Sequence, residues 1–191
     1  AKLSHPVAAA FDAVFYGNVA SGAQYKSWGC EKLAYLPIFV PPAEVPARDE
    51  RENVLGPERT NDLVLVCGRN DKRALRMEAL VSAFPHAEVY GRNWNRGWIS
   101  DSALHDLYLN SKIGWNIHNS TGPINKRLFA LAAFGIMPLC DNKTGLGEVF
   151  KLGREAVGAD TVPEMVELTR YYLAHDEERR EIARAAYERY W

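Results

Sequence analysis

Leu63-Val64-Leu65-Val66-Cys67, then Gly68-Arg69-Asn70-Asp71, then an amphipathic run to Phe84, is the stretch on which the fold turns. Five consecutive apolar residues fit a strand covered on both faces, as in a parallel sheet. Gly68 to Asp71 is a turn. Met77, Leu80, Val81 and Phe84 then recur at i, i+3, i+4 and i+7, which predicts a helix over 72–84 with one buried face.

The same alternation continues downstream. Ala87 to Tyr90 is a short strand ended by Gly91. Leu104, Leu107 and Tyr108 mark a helix entered through Ser100 or Asp101. Ile113 to His118 is a strand. Asn125 to Phe134 is a helix that Gly135 stops. Ile136 to Cys140 is a strand, Gly145 to Phe150 a short helix, and Ala156 to Gly158 a weak strand. Thr161-Val162-Pro163 opens a long helix, with proline where a first turn accepts it. Asp176 opens a last helix with Ile182, Ala183, Ala186 and Tyr190 along one stripe. Strands alternating with helices predict an α/β fold, a Rossmann-like parallel sheet flanked by helices.

Upstream the pattern is looser. Ala13 to Tyr16 reads as a short buried strand, Ser21 to Trp28 as a helix stopped by Gly29, and Leu33 to Val40 as an edge strand or extended connector because of Pro37. Pro41, Pro42, Pro46 and Pro57 sit among charges with few large apolar groups. The division that follows is a tail at 1–45, a linker at 46–60 and the α/β domain at 61–191. The opening AKLSHPVAAAFDAV lacks methionine and reads as mid-protein.

The 191 residues are enough for one core without disulfides or a structural metal. Hydrophobic residues are 47% and charged residues 25%, which excludes disorder as the expectation. A net charge of −1 gives no reason to expect a nucleic-acid or anionic-membrane partner. Cys30, Cys67 and Cys140 are odd in number and widely spaced, against a disulfide framework or a zinc site. A reducing, cytoplasmic compartment is expected. No apolar run approaches the roughly 20 residues of a bilayer span, and no transmembrane segment is expected.

Ligands of open parallel sheets bind beyond the carboxyl ends of the strands, so the loops there carry the candidate chemistry. Gly68-Arg69-Asn70-Asp71-Lys72-Arg73 brings cations to a helix start, where backbone N–H groups favour an anion. The same residues also suit an ordinary solvated turn. Asn116 to Arg127 is dense in polar side chains and ends at a second helix start bearing Lys126 and Arg127. His118 fits equally a site residue or a hydrogen-bonded histidine at a strand end. Asp141 to Glu148 holds Gly145 and Gly147 before a short helix, a tight turn or a close approach to ligand, with Glu148 in reach of ligand hydroxyls. No GxSxG, Walker A loop or GxGxxG follows a strand. In the last helix Arg179, Arg180, Arg184 and Arg189 alternate with Glu178, Glu181 and Glu188, the pattern of a solvated face. Tyr190-Trp191 reads as an apolar pair able to cover another domain.

Taken together, these loops resemble a known family. Ser111 to Ser120, then Gly122-Pro123 and Asn125-Lys126-Arg127-Leu128-Phe129, resemble the CgeB-like glycosyltransferases, of the group-1, family-4-like GT-B kind. Asn125, Arg127 and Phe129 fall on that family's Asn-x-Arg-x-Phe pattern. Leu139-Cys140-Asp141, Gly145 to Phe150, Val89 to Trp94 and the paired terminal helices fit as well, over roughly 61–190.

The resemblance implies the C-terminal, donor-binding half of a GT-B enzyme, with a nucleotide diphosphate sugar as donor substrate and no metal or other cofactor. By that likeness His118 and Arg127 serve catalysis. Arg69 and Lys72 grip the diphosphate, Trp98 and Ile99 lie by the base, Asn119, Ser120 and Asn125 border the donor, and Glu148 bonds its hydroxyls. The wider group carries two glutamates where this chain has Gly122 and Ala130. The acceptor half is expected from an N-terminal domain or a separate chain. The glutamate replacements also motivate a second reading, a non-catalytic sugar-nucleotide-binding or partner-docking module using Tyr190 and Trp191. A flavodoxin-like signalling or cofactor domain lacks both an evident acidic pocket and a flavin loop.

Overall fold

A computed structural model describes residues 5–71, 74–118, 124–141 and 146–191. The elements run α1 (His5–Ala8), β1 (Val14–Tyr16), α2 (Ser21–Ser27), β2 (Leu33–Tyr35), α3 (Arg51–Leu55), β3 (Asn61–Val66), α4 (Ala74–Ala83), β4 (Glu88–Tyr90), α5 (Asp101–Leu109), β5 (Ser111–Asn116), α6 (Lys126–Ala133), β6 (Met137–Asp141), α7 (Leu146–Val149), β7 (Val157–Ala159), α8 (Val162–Ala174) and α9 (Asp176–Tyr190). Short 3-10 turns at Pro42–Glu44 and Arg48–Glu50 precede α3.

Five strands form one parallel sheet in the order β4-β3-β5-β6-β7, and β1 pairs with β2 in a separate parallel pair. The expected α/β architecture is present. β3 leads through α4 to β4 on one side, and the chain then returns through α5 to β5 on the other. The order reverses between β3 and β5, which is where such sheets open a crevice for ligands.

Strand period and sheet burial agree. Leu63 and Leu65 of β3, Ile113 and Trp115 of β5, and Met137 and Leu139 of β6 pack with α4 and α8 on one face. Val64, Cys140, α5 and α6 pack on the other, and α9 contributes to both layers. Each fully buried aliphatic side chain there contributes about 1.5–3 kcal/mol. Gly114 sits on β5 under α6. A Cβ added to it would lie 2.2 Å from Leu131 Cδ2, so glycine sets how closely α6 approaches the sheet.

Helix starts follow the sequence. Ser100 accepts from the Ala103 N–H, Asn125 from Leu128 and Thr161 from Glu164, each satisfying a donor the helix leaves open. Gly135 ends α6 in the left-handed region, at φ 63°.

Several expectations change. Phe15 is 66% exposed, because β1 has only β2 beside it, so the Ala13–Tyr16 run is not a buried strand. Residues 46–60, expected as a linker, include α3 and bury Val54 and Arg59. Arg179 is buried rather than part of a solvated face: its guanidinium bonds Asp176 Oδ1 at 2.6 and 3.1 Å and the Lys112 carbonyl at 3.4 Å. Tyr190 and Trp191 pack against the chain's own core, and Tyr190 Oη donates to the Val40 carbonyl at 2.8 Å.

Arg59 joins the pieces. Its Nη1 donates to the carbonyls of Tyr108 (2.9 Å) and Ser111 (2.7 Å), and its Nη2 to those of Val54 (2.9 Å) and Phe134 (2.7 Å). Val54, Tyr108 and Phe134 close α3, α5 and α6, so one cation meets the negative ends of these helices. Burial, then the charges of Arg179 and Arg180, push its guanidinium down to about 10, still a cation at neutral pH. Arg59→Met removes the donor that these carbonyls share. We expect a loss of about 3–5 kcal/mol in urea unfolding, with Arg59→Lys recovering only part because an ammonium cannot reach across the same fork.

Candidate functional site

A cavity of about 1010 Å³ opens at the reversal between β3 and β5. Val66 and Cys67 form its floor at the end of β3. Asp101, Ser102 and His105 of α5 form one wall, and Asn125, Lys126, Arg127 and Ala130 at the start of α6 form the other. Val40, Ala43, Glu44 and Val45 cover it from the stretch before α3, which Tyr190 holds in place. The volume is in the range of small-molecule sites.

Arg127 is the distinctive group. Its Nε and Nη1 are buried and have no hydrogen-bond partner. Buried donors without acceptors are costly, and an anion is the kind of group that satisfies them. It stands in the first turn of α6, where the dipole also favours negative charge. Its charge is felt at Tyr108, whose hydroxyl is nevertheless pushed up to about 12, chiefly by burial. Lys126 beside it is paired with Glu44.

A second cluster lies at the ends of β5 and β6, whose register sets Asn116 beside Cys140. His118 is 4% exposed. Its Nδ1 lies 2.5 Å from Asp141 Oδ1, its backbone N–H donates to the same carboxylate, and its Nε2 is buried with no partner. Arg76 of α4 donates from Nη1 to Asp141 Oδ2 at 3.1 Å and from Nη2 to the His118 carbonyl at 3.0 Å. Burial acts to raise Asp141, but the hydrogen bonds from the His118 ring and backbone, with the charge of Arg76, outweigh it and hold the carboxyl below its ordinary value. The stabilisation Asp141 gives is therefore present above the ordinary carboxylate range and lost as pH falls through its folded value.

The remaining expected residues are dispersed. Arg69 follows β3 but is tied to Glu78 of α4, with Nε to Oε1 at 2.7 Å. Trp98 is 81% exposed, and Ile99 packs on the core at the α5 entrance. Glu148 is exposed on α7, and its charge reaches Tyr35, whose hydroxyl is buried and unpartnered. Lys72, Asn119 and Ser120 lie outside the described residues. Among the described residues the cavity unites Arg127 and Asn125, while His118 stands with groups the sequence reading did not assign: Arg76 and Asp141. Their signal is weak in sequence, since Arg76 is 42 positions from His118 and Asp141 is 23.

No group of three or more His, Cys, Asp or Glu side chains suited to a metal occurs among the described residues. Nor is any helix of these residues long and apolar enough to cross a membrane. The cysteines are free, with Cys30 and Cys140 buried and Cys67 half-buried in the cavity floor. Burial pushes the Cys140 thiol up. Ellman's reagent on the native protein should therefore modify Cys67 first, with Cys30 and Cys140 reacting only on unfolding. Equal rates for all three would contradict this burial pattern.

Comparison with known proteins bears on the whole arrangement. Residues 71–191, more than half of the chain, match the family model described as glycosyl transferase-like. No curated protein sequence matches the chain. Sucrose-phosphate synthase from Thermosynechococcus elongatus superposes with a TM-score of 0.71 at 12% identity, over 100% of this chain and 57% of that one. HepE of Anabaena, in complex with UDP and glucose, gives 0.72 at 12% identity, over 99% and 61%. TarM of S. aureus, in a complex that includes UDP, gives 0.70 at 12% identity, over 98% and 42%. The chain thus spans about half the length of these proteins. Its parallel sheet flanked by helices is that of GT-B glycosyltransferase C-terminal domains, and the chain belongs to the glycosyl transferase-like family.

Proposed function

We propose that this chain binds a nucleotide diphosphate sugar in the cavity between β3 and β5 and supports metal-independent transfer of the sugar to an acceptor. The observation that carries the reading is the pair of Arg127 donors, Nε and Nη1, buried and without partners at a helix start inside that cavity. A diphosphate satisfies both its charge and its open donors. In transfer the same groups stabilise the diphosphate as it leaves, so that a cation and a helix N-terminus do the work of a metal ion.

Asn125 caps α6 and keeps that N-terminus formed. His118 lies on the same ligand edge of the sheet and orients the donor. Arg69 joins the site only by exchanging Glu78 for phosphate. Lys72, Asn119 and Ser120 retain the donor-side roles that the family likeness implies, as do Trp98 and Ile99 for the base and Glu148 for the sugar. The UDP held by HepE and TarM supports the donor class. The Asn125-x-Arg127-x-Phe129 motif supports the CgeB-like kind within the family. The acceptor side belongs to the part of a GT-B enzyme that this chain does not span, on the same polypeptide or a separate one. Three free cysteines fit a cytoplasmic setting.

Ala130 lines the cavity one turn from Arg127, where the wider group carries a glutamate. That favours a second reading, a donor-binding module without turnover. Donor binding with no transfer, even with an acceptor half supplied, would select it.

Calorimetric titration with UDP, GDP and their sugar conjugates, in the presence of EDTA, tests the proposal. One nucleotide should bind without added metal, and Arg127→Ala should weaken it roughly ten- to hundredfold. Binding by none of them, or equal binding by Arg127→Ala, would refute it.

A further inference from the structure

Resting on the donor reading above, we infer that His118 reads a hydroxyl of the donor's sugar rather than a phosphate oxygen, and that Asp141 and Arg76 are the positioning residues that set it to do so. Hydrogen-bond polarity at the ring decides between the two. An ionised carboxylate only accepts. Asp141 lies 2.5 Å from His118 Nδ1 and accepts the backbone N–H of His118 as well, so the ring proton is on Nδ1. In the neutral ring Nε2 is then an acceptor. A phosphate oxygen has no proton to offer it; a sugar hydroxyl does.

Arg76 makes the setting rigid. It bonds the carboxylate of Asp141 and the main-chain carbonyl of His118, so side chain and backbone are gripped together across α4, β5 and β6. Held below its ordinary value, Asp141 stays an acceptor at neutral pH. The ring is almost fully buried, yet Nε2 has no partner. A buried acceptor without a donor is the kind of vacancy a ligand fills. Its position follows from the sheet: His118 and Asp141 stand at the carboxyl ends of neighbouring strands, the edge that also carries the cavity. The two sites divide the donor, with cations for the diphosphate at α6 and the Nε2 acceptor for the sugar between β5 and β6.

Two measurements test this. The first is a proton–nitrogen correlation spectrum of the histidine rings, with His118 assigned by comparison with His118→Phe. Nδ1 should carry the proton in the unaltered protein, and finding it on Nε2 overturns the inference without any variant having to fold. The second compares, by calorimetry, UDP with UDP-glucose and GDP with GDP-mannose. The sugar conjugate of the preferred nucleotide should bind about tenfold more tightly than the matching diphosphate. In His118→Phe, which removes the ring acceptor, the two affinities should become nearly equal. A sugar preference that survives His118→Phe, or none in the unaltered protein, overturns this inference alone, provided the diphosphate still binds and Arg127→Ala weakens it. If no nucleotide binds at all, the donor reading fails and this inference with it.

Discussion

The buried guanidinium of Arg59 sits where the chain offers it carbonyl oxygens from the closing turns of α3, α5 and α6 and from the start of β5. Those helices end together because one cation draws their negative ends to a point. The geometry at the opposite end of the layer follows. With the tail of α5 and the tail of α6 fixed at Arg59, their first turns face one another across the end of β3, and the space between them is the cavity. The cover over it, residues 40–45, reaches α3 through the same short segment, and Tyr190 ties that segment to α9. Arg59 thus holds the ends of α5 and α6 opposite to those that line the cavity.

The two arginines that matter most, Arg59 and Arg127, are opposites. Arg59 is satisfied by carbonyls and has a structural task. Arg127 has two buried donors, Nε and Nη1, that no group of the protein accepts. A count of charges does not distinguish them. Hydrogen-bond accounting does, because a buried donor left unpaired costs more than a paired one contributes. The same accounting separates Arg69, already bound to Glu78, from Arg127.

The strands and helices of 61–191 were legible because their signals are local: period-two burial with both faces covered, amphipathic helices, and Ser100, Asn125 and Thr161 as caps. Asn125 and Arg127 were legible for the same reason, as a helix start after a strand. Burial within residues 1–60 was misjudged where tertiary context decides. A stretch rich in proline and charge looked like a tether, yet it carries Arg59, whose partners lie up to 75 positions away. Arg179 looked solvated because it alternates with glutamates, but its place on α9 turns it toward β5 and the Lys112 carbonyl. Asp141 and Arg76 were missed because only the pairing of β5 with β6, and the packing of α4 beneath them, brings them to His118.

The central claim is that the cavity beside Arg127 holds the diphosphate of a sugar nucleotide. A crystal structure of the chain with its preferred nucleotide diphosphate tests this most directly. The account predicts phosphate oxygens within hydrogen-bond distance of Arg127 Nε and Nη1 at the start of α6, with the nucleoside between α5 and the end of β3. A nucleotide bound elsewhere, with those two nitrogens still unpartnered, would contradict it.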